Sequence, residues 1–318
     1  MTNLIVCMTP LQTLIAKEII FLFPDENFDL IYVSLSGSPK DVYYYELIKG
    51  FCDRSFFIRE PASFLEIFLL RFFVKRLRDS YFKLYLANIE RKYIHLIASR
   101  LNVKEINTFD DGVGNIIRTS VFYSKESKIF FKRLMWKIIG VNFNKQLIRD
   151  KAKVHYTIYN NIPNIIENLV TVSLFPENGK LNLSVKENRE KVVTFYLGQP
   201  LTDIDSNFNM IFVERKLSKI KIDYYFPHPR EIVFPKGNFQ VVESLLIFED
   251  YIINFLKDNP NVRVEVYSFI SSALLNVSSL LKVQCIYLYN DDFMMRYKDF
   301  YFFSKSKFNI KLKNVESI

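Results

Sequence analysis

The stretch Lys83–Gly112, KLYLANIERKYIHLIASRLNVKEINTFDDG, decides the fold. Lys83–Leu86 reads as a strand and Glu90–Leu101 as an amphipathic helix. Glu105–Phe109 reads as a second strand, running out into Asp110-Asp111-Gly112. A strand, a helix and a strand in that order describe a crossover unit, whose strands lie parallel and whose sheet is covered on both faces.

The alternation extends both ways. Upstream, Leu4–Cys7 is a strand, Pro10 opens a helix through Phe21, Asp29–Ser34 is a strand and Asp41–Gly50 a helix. Proline suits the first helical turn because its missing N–H would have no partner there. Downstream, the polar stretch Pro176–Lys191 reads as a linker. The pattern then resumes with a strand at Val192–Leu197, followed by Gly198-Gln199-Pro200, and a strand at Lys219–Phe226, followed by Pro227-His228-Pro229. Ser244–Leu256 is a helix with Glu249-Asp250 in its middle, and Val262–Ser268 is a strand. Ser271 and Ser272 open another helix, and Val283–Tyr289 is the last clear strand. Two doubly wound α/β halves facing a cleft are expected, one over residues 1–180 and one over 190–318.

Composition narrows the function. Lys plus Arg exceed Asp plus Glu by 43 to 34, a net +9 that favours anionic partners such as nucleotides, nucleic acid or an anionic membrane. The motifs G-x-x-x-x-G-K-[ST] and G-x-G-x-x-G are both missing, which removes the main support for kinase, ATPase and NAD readings. No nucleic-acid module signature is present. Cys7, Cys52 and Cys285 are widely spaced, which speaks against a zinc or redox motif and for a reducing compartment. The N-terminus has no signal-peptide pattern, and no apolar run approaches the roughly 18 residues of a membrane span. A cytoplasmic protein is expected.

Five places can carry chemistry. His228 sits between two prolines just past a strand, where open α/β sheets bind ligands. The prolines fix its backbone, a benefit to a proton donor. His95, mid-helix, and His155 are expected to be structural. Asp110-Asp111-Gly112 also ends a strand: its carboxylates can take a proton or bind sugar hydroxyls, or the string can be a plain turn with a helix cap. Asp203-Ile204-Asp205 matches the D-x-D pattern that holds a metal on a nucleotide, a short string that also arises by chance; a base role for one of these aspartates is preferred. Ser271 and Ser272 offer a helix start to a phosphate, or simply cap the helix. Glu249 and Asp250 can bond ribose hydroxyls, or can merely be solvated.

Two stretches are both basic and aromatic, Phe64–Arg78 and Lys128–Arg149, and both have helical periodicity. The plainer reading is a core-facing helix with a solvated basic side. The sharper reading is a helix on an anionic membrane, or a dimer contact.

In order along nearly the whole chain, several segments join into a resemblance. They are Cys7-Met8-Thr9-Pro10-Leu11-Gln12, Leu84-Tyr85-Leu86-Ala87-Asn88-Ile89-Glu90, Thr108-Phe109-Asp110-Asp111-Gly112, His155-Tyr156-Thr157-Ile158, Leu197-Gly198-Gln199-Pro200, Pro227-His228-Pro229-Arg230, Glu249-Asp250-Tyr251-Ile252 and Tyr267-Ser268-Phe269-Ile270-Ser271. The chain resembles the bacterial lipooligosaccharide sialyltransferases of glycosyltransferase family 52. The resemblance implies a GT-B-like pair of Rossmann-like domains, often dimeric, that uses CMP-sialic acid as donor and no metal or other cofactor. It implies inversion and a galactose-terminated glycan of lipooligosaccharide or capsule as acceptor, with α-2,3 linkage favoured.

By the same resemblance His228 is the general acid, acting as an imidazolium. Glu249, Asp250, Tyr251, Ile252, Ile253, Ile270 and Ser271 contact the nucleotide, and Ser272 adds a phosphate contact. The family's base follows the G-x-P turn, where this chain has Leu201; Asp203 is preferred, with Asp205 nearby. A related family takes its base from D-D-G, which makes Asp110 or Asp111 the rival. The alternatives are a GT-B transferase for another nucleotide sugar, separable by binding of CMP against UDP or GDP, and a catalytically silent basic protein that binds membrane or capsule-assembly partners.

Overall fold

The structure is a computed structural model that describes residues 1–124, 130–175 and 191–317, leaving out the side chains of residues 130–133. Of the linker Pro176–Lys191 only Lys191 lies among the described residues. Lys128, and the side chains of Phe130, Phe131, Lys132 and Arg133, also fall outside them. The chain divides into two units, Met1–Pro176 and Glu177–Ile318.

Unit 1 runs β1 (Thr2–Cys7), α1 (Pro10–Leu22), β2 (Asn27–Ser34), α2 (Pro39–Lys49), β3 (Arg54–Arg59), α3 (Phe64–Val74), β4 (Ser80–Leu86), α4 (Lys92–Arg100), β5 (Asn102–Phe109), α5 (Phe130–Ile138), α6 (Lys145–Lys151), β6 (Ala152–Thr157) and β7 (Leu169–Thr171). Its sheet has the order β3-β2-β1-β4-β5-β6-β7, and every neighbouring pair is parallel. Strand order reverses between β1 and β4. Successive β1 residues go to opposite cores: Leu4 and Val6 pack with α3 and α4, Ile5 and Cys7 with α1. This two-sided burial is why the strand is a continuous apolar run rather than an alternating one. Full burial of each such side chain contributes about 1.5–3 kcal/mol. Helix α1 starts where expected, with the Thr9 hydroxyl accepting from Gln12 N–H and Pro10 in the first turn.

Unit 2 runs β8 (Lys191–Leu197), α7 (Met210–Leu217), β9 (Tyr224–Phe226), β10 (Gln240–Val241), α8 (Phe248–Asp258), β11 (Val262–Ser268), α9 (Ala273–Val277), β12 (Val283–Tyr289), α10 (Asp291–Phe308) and β13 (Lys311–Asn314). Its sheet has the order β10-β9-β8-β11-β12-β13, again parallel throughout, with the reversal between β8 and β11. Both units are therefore doubly wound and Rossmann-like, the α/β class that the sequence pattern implies.

Three boundaries differ from expectation. The strand Lys219–Phe226 begins only at Tyr224, because its alternating Lys/Ile half is the exit turn of α7, closed by Ile220 N–H to Leu217 C=O at 3.0 Å. Helix α8 begins at Phe248 rather than Ser244, whose hydroxyl instead turns the chain by accepting from Leu246 N–H at 3.0 Å. Glu249 and Asp250 therefore sit in the first turn, where the helix dipole favours negative charge, not in mid-helix. The helix opened by Ser271 and Ser272 is the five-residue α9, and Ser272 at its cap makes no side-chain cap bond. Ser272 thus does not cap the helix through its side chain.

Candidate active site

In unit 2 the loops leaving β8, β9 and β11 are stitched together at the carboxyl edge of the sheet. Strand β8 ends at Gly198, whose N–H returns to Phe226 C=O at 2.9 Å. The Gln199 side-chain oxygen accepts from Ser268 Oγ at 3.1 Å and from Ile270 N–H at 2.9 Å, which ties the two loops that flank the reversal of strand order. That crevice is where open α/β sheets receive ligands.

His228 follows β9 in this region and is half-buried. A tight turn closes over it, with Glu231 N–H donating to His228 C=O at 2.9 Å. The Glu231 carboxylate reaches back, accepting from His228 N–H at 2.7 Å on Oε2 and from Tyr225 O–H at 2.9 Å on Oε1. The Gln199 backbone also donates to it, and burial holds its pKa above the ordinary glutamate range. A side chain at Gly198 has no room here: its Cβ would collide with Glu231 Oε2 and lie 2.5 Å from Tyr225 Oη.

Within the same turn Arg230 N–H donates to His228 Nδ1 at 3.1 Å. An imidazolium carries a proton on that nitrogen and has no lone pair for it. As placed, Nδ1 is the acceptor of this bond.

The D-x-D carboxylates part company. Asp203 accepts from Arg230 Nη1 at 2.7 Å, and Asp205 from Arg296 Nη2 at 2.6 Å. Each is engaged by a different guanidinium. Both pairs are at least partly solvent-facing, so each contributes at most about 1 kcal/mol to stability.

In unit 1 the D-D-G turn brings its two aspartates into opposite surroundings. Gly112 adopts φ +104°, a conformation that glycine supplies without penalty. Asp110 is fully buried. It accepts from His155 Nε2 at 2.9 Å, Thr157 O–H at 2.7 Å, Ile158 N–H at 2.8 Å and Asn164 Nδ2 at 2.9 Å. His155 is in turn within 2.8 Å of Thr108 Oγ1 through Nδ1. This closed network gives Asp110 and His155 a structural role and leaves little of Asp110 for a substrate. His95 is also buried in place, its Nε2 2.8 Å from Ile89 C=O.

Asp111 is held instead by residues that follow the two strands flanking the reversal in unit 1. Gln12, after β1, donates to Oδ1, and Asn88, after β4, donates to Oδ2 at 2.7 Å. Gln12 is itself fixed, accepting from Met8 N–H at 2.7 Å. Burial pushes the Asp111 carboxyl up to about 6, against the pull of the Asn88 and Gln12 hydrogen bonds. Such a carboxylate is a far better proton acceptor near neutrality than an ordinary aspartate.

The expected nucleotide contacts are mixed in availability. The buried Glu249 accepts from Asn276 Nδ2 at 2.7 Å. Tyr251 packs its ring 5.3 Å from Phe226. Ile252 is fully buried, which takes its side chain away from any ligand, whereas Asp250 and Ile253 are half-buried. Ile270 has its N–H engaged by Gln199, and the Ser271 carbonyl accepts from Tyr287 O–H at 2.7 Å. Gln12, Asn88, Gln199, Tyr225 and Glu231 carry no role in the sequence reading. The signal for three of them was present, since Gln12, Asn88 and Gln199 lie inside the segments on which the resemblance rests.

Among the described residues, no group of three or more His, Cys, Asp or Glu is placed to hold a metal ion, and no helix is long and apolar enough to cross a membrane.

Comparison with known proteins gives a consistent result. The chain is 31% identical over 281 residues to a "CMP-N-acetylneuraminate:beta-galactoside alpha-2,3-sialyltransferase" of Pasteurella multocida (strain Pm70), covering 86% of this chain and 87% of that protein. It is 32% identical over 281 residues to an "N-acetyllactosaminide alpha-2,3-sialyltransferase" of Haemophilus influenzae (strain ATCC 51907 / DSM 11121 / KW20 / Rd), covering 87% and 88%. It is 29% identical over 293 residues to a protein of the same name from Neisseria meningitidis serogroup A / serotype 4A (strain DSM 15465 / Z2491), covering 88% and 76%. Among solved structures, a UDP-GlcNAc 2-epimerase from Neisseria meningitidis bound to UDP-GlcNAc aligns over 91% of this chain and 82% of its own at 10% identity. Its TM-score of 0.47 is too low to carry a conclusion. The sequence profile of glycosyltransferase family 52 matches residues 25–291, and the chain belongs to that family.

Proposed function

We propose that this protein is a sialyltransferase that moves sialic acid from CMP-sialic acid, with inversion, to a terminal galactose hydroxyl of a bacterial surface glycan, in α-2,3 linkage. Unit 2 binds the donor and unit 1 serves the acceptor. The observation that carries the reading is His228, clamped by Glu231 at the carboxyl edge of the unit 2 sheet, in a chain whose relatives are named for this reaction.

The chemistry follows from where charge develops. As the bond from the anomeric carbon to the phosphate oxygen breaks, its electron pair passes to CMP, and positive charge builds on the sugar ring. Donation from His228 Nε2 stabilises the phosphate. The acceptor hydroxyl attacks from the opposite face and gives up its proton to a carboxylate. Asp111 fits that task better than Asp203, whose carboxylate is engaged by the Arg230 guanidinium, and better than Asp110, whose oxygens are occupied. CMP leaves as a stable anion, so the mechanism requires no metal or cofactor.

A peripheral contact with an anionic bilayer fits α3, where Leu65 and Phe72 are exposed and the Phe72 ring lies against Arg71 and Lys75, and the exposed Ile138 of α5. Phe64 and Trp136, with ring centroids 5.2 Å apart, join the two helices into one surface. Co-sedimentation with anionic but not zwitterionic vesicles checks it; equal or no co-sedimentation refutes it.

The deciding experiment incubates the purified chain with CMP-sialic acid and a lactose-type acceptor and reads the product by NMR. An α-2,3 sialoside is expected. Turnover of UDP- or GDP-sugars without use of CMP-sialic acid would overturn the reading.

A further inference from the structure

We infer that Glu231 is a positioning residue that locks the His228 turn so that the ring works as a neutral Nε2–H donor, stabilising the departing phosphate by a hydrogen bond without giving up its proton. The inference rests on the proposed role of His228 toward a leaving nucleotide. It adds the residue that sets the imidazole and the form in which the imidazole acts.

Three bonds build the device. Glu231 N–H to His228 C=O at 2.9 Å closes the turn, and the Glu231 carboxylate accepts from His228 N–H at 2.7 Å, so residue 231 grips residue 228 at both backbone groups. The second carboxylate oxygen is anchored to Tyr225 O–H at 2.9 Å, on strand β9. A turn gripped this way has one place for the intervening amide, and Arg230 N–H falls 3.1 Å from Nδ1. A backbone amide cannot change its proton count. Nδ1 must therefore remain an acceptor, and the ring's single proton belongs to Nε2.

The alternative has a steric and electronic cost. An imidazolium that delivered its Nε2 proton would be left with a proton on Nδ1, pointing at the Arg230 N–H. The turn would have to open at each cycle. A neutral donor avoids this, and the chemistry permits it. The C–O bond breaks, the electron pair goes to the phosphate oxygen, and CMP departs as a phosphate monoester dianion that needs charge stabilisation rather than a proton. The one proton released in the reaction comes from the acceptor hydroxyl and goes to the carboxylate base. Atoms and charges balance with His228 unchanged.

The test is 15N NMR of the full-length protein labelled at histidine, with the His228 signals assigned by their loss in His228→Gln. The expected result is a neutral ring at pH 7 with its proton on Nε2. A doubly protonated ring, or a proton on Nδ1, overturns the inference. In parallel, Glu231→Ala should mix the two tautomers and lower kcat by about tenfold or more while KM for CMP-sialic acid changes little. Glu231→Gln keeps an oxygen for the His228 N–H and should recover most of that loss. Equal kcat in the two variants, or a loss confined to KM, also overturns it. The NMR readings need no turnover, so a failure of the sialyltransferase reading would be seen separately, as a wild-type protein that does not use CMP-sialic acid.

Discussion

Asp110 and Asp111 share a peptide bond but not an environment: the first carboxylate is bound by four donors inside unit 1, and the second is held by Gln12 and Asn88, which follow the two strands flanking the reversal of strand order. Both residues lie past the end of β5 at Phe109, and the D-D-G turn gives their side chains different partners. It yields opposite expectations for two adjacent substitutions. Asp110→Ala leaves His155, Thr157, Ile158 and Asn164 facing a hole, and should cost about 3–5 kcal/mol of stability. The urea midpoint of unit 1 unfolding measures it; a shift equal to that of a surface substitution would remove Asp110 from its structural role.

Asp111→Asn should do the reverse at alkaline pH. The folded carboxyl titrates at about 6, above an unfolded aspartate. The protonated form is thus the one the fold prefers. That contribution is fully present below about pH 4 and is lost as pH rises through 6, where the ionised carboxylate costs at most on the order of 2–3 kcal/mol. The variant should be more stable than wild type at pH 8 and equal to it at pH 4, while its transfer rate falls by about 100-fold. In wild type, kcat should rise with pH through about 6. A kcat that is flat across that range, or normal turnover by the variant, would shift the base role to Asp203.

Gly198→Ala probes the clamp on His228 without removing a polar group. The new methyl meets Glu231 and Tyr225, so the carboxylate must move. Overpacking of this kind costs about 1–3 kcal/mol, and kcat should fall more than the small change in thermal midpoint accounts for. Unchanged kcat in a folded variant would show that the Glu231 contact is dispensable.

The D-x-D reading is tested by chelation. With Asp203 on Arg230 and Asp205 on Arg296, transfer should survive EDTA, and Asp205→Asn should leave it within about threefold, as for an exposed ion pair. Loss of activity restored by a divalent ion would mean that these pairs open to bind metal.

The sequence carried much of this, and the gaps have physical causes. The parallel α/β class was legible because buried strands read as apolar runs between amphipathic helices, as in Lys83–Gly112. The placement of His228 was legible because two prolines mark the end of β9. The strand at Lys219 was misread because a basic-apolar alternation serves a helix exit as well as a strand. Glu249 and Asp250 were set in mid-helix because Ser244 looks like a cap, while the true N-cap position, Ile247, offers no capping side chain. Glu231 had no signal at all: a glutamate three residues past a histidine announces nothing until the turn brings its carboxylate onto the backbone. The unequal fates of Asp110 and Asp111 depend on His155, Asn164, Gln12 and Asn88, residues distant in the chain that only the sheet order brings together.

The central claim is that His228 stabilises the phosphate as the nucleotide departs. It is tested most directly by the rate of sialyl transfer from CMP-sialic acid to a lactose-type acceptor by His228→Ala beside wild type, with circular dichroism to show an intact fold. A fall of about 100-fold or more in kcat is expected. Transfer at a near-normal rate by the folded variant would contradict the account.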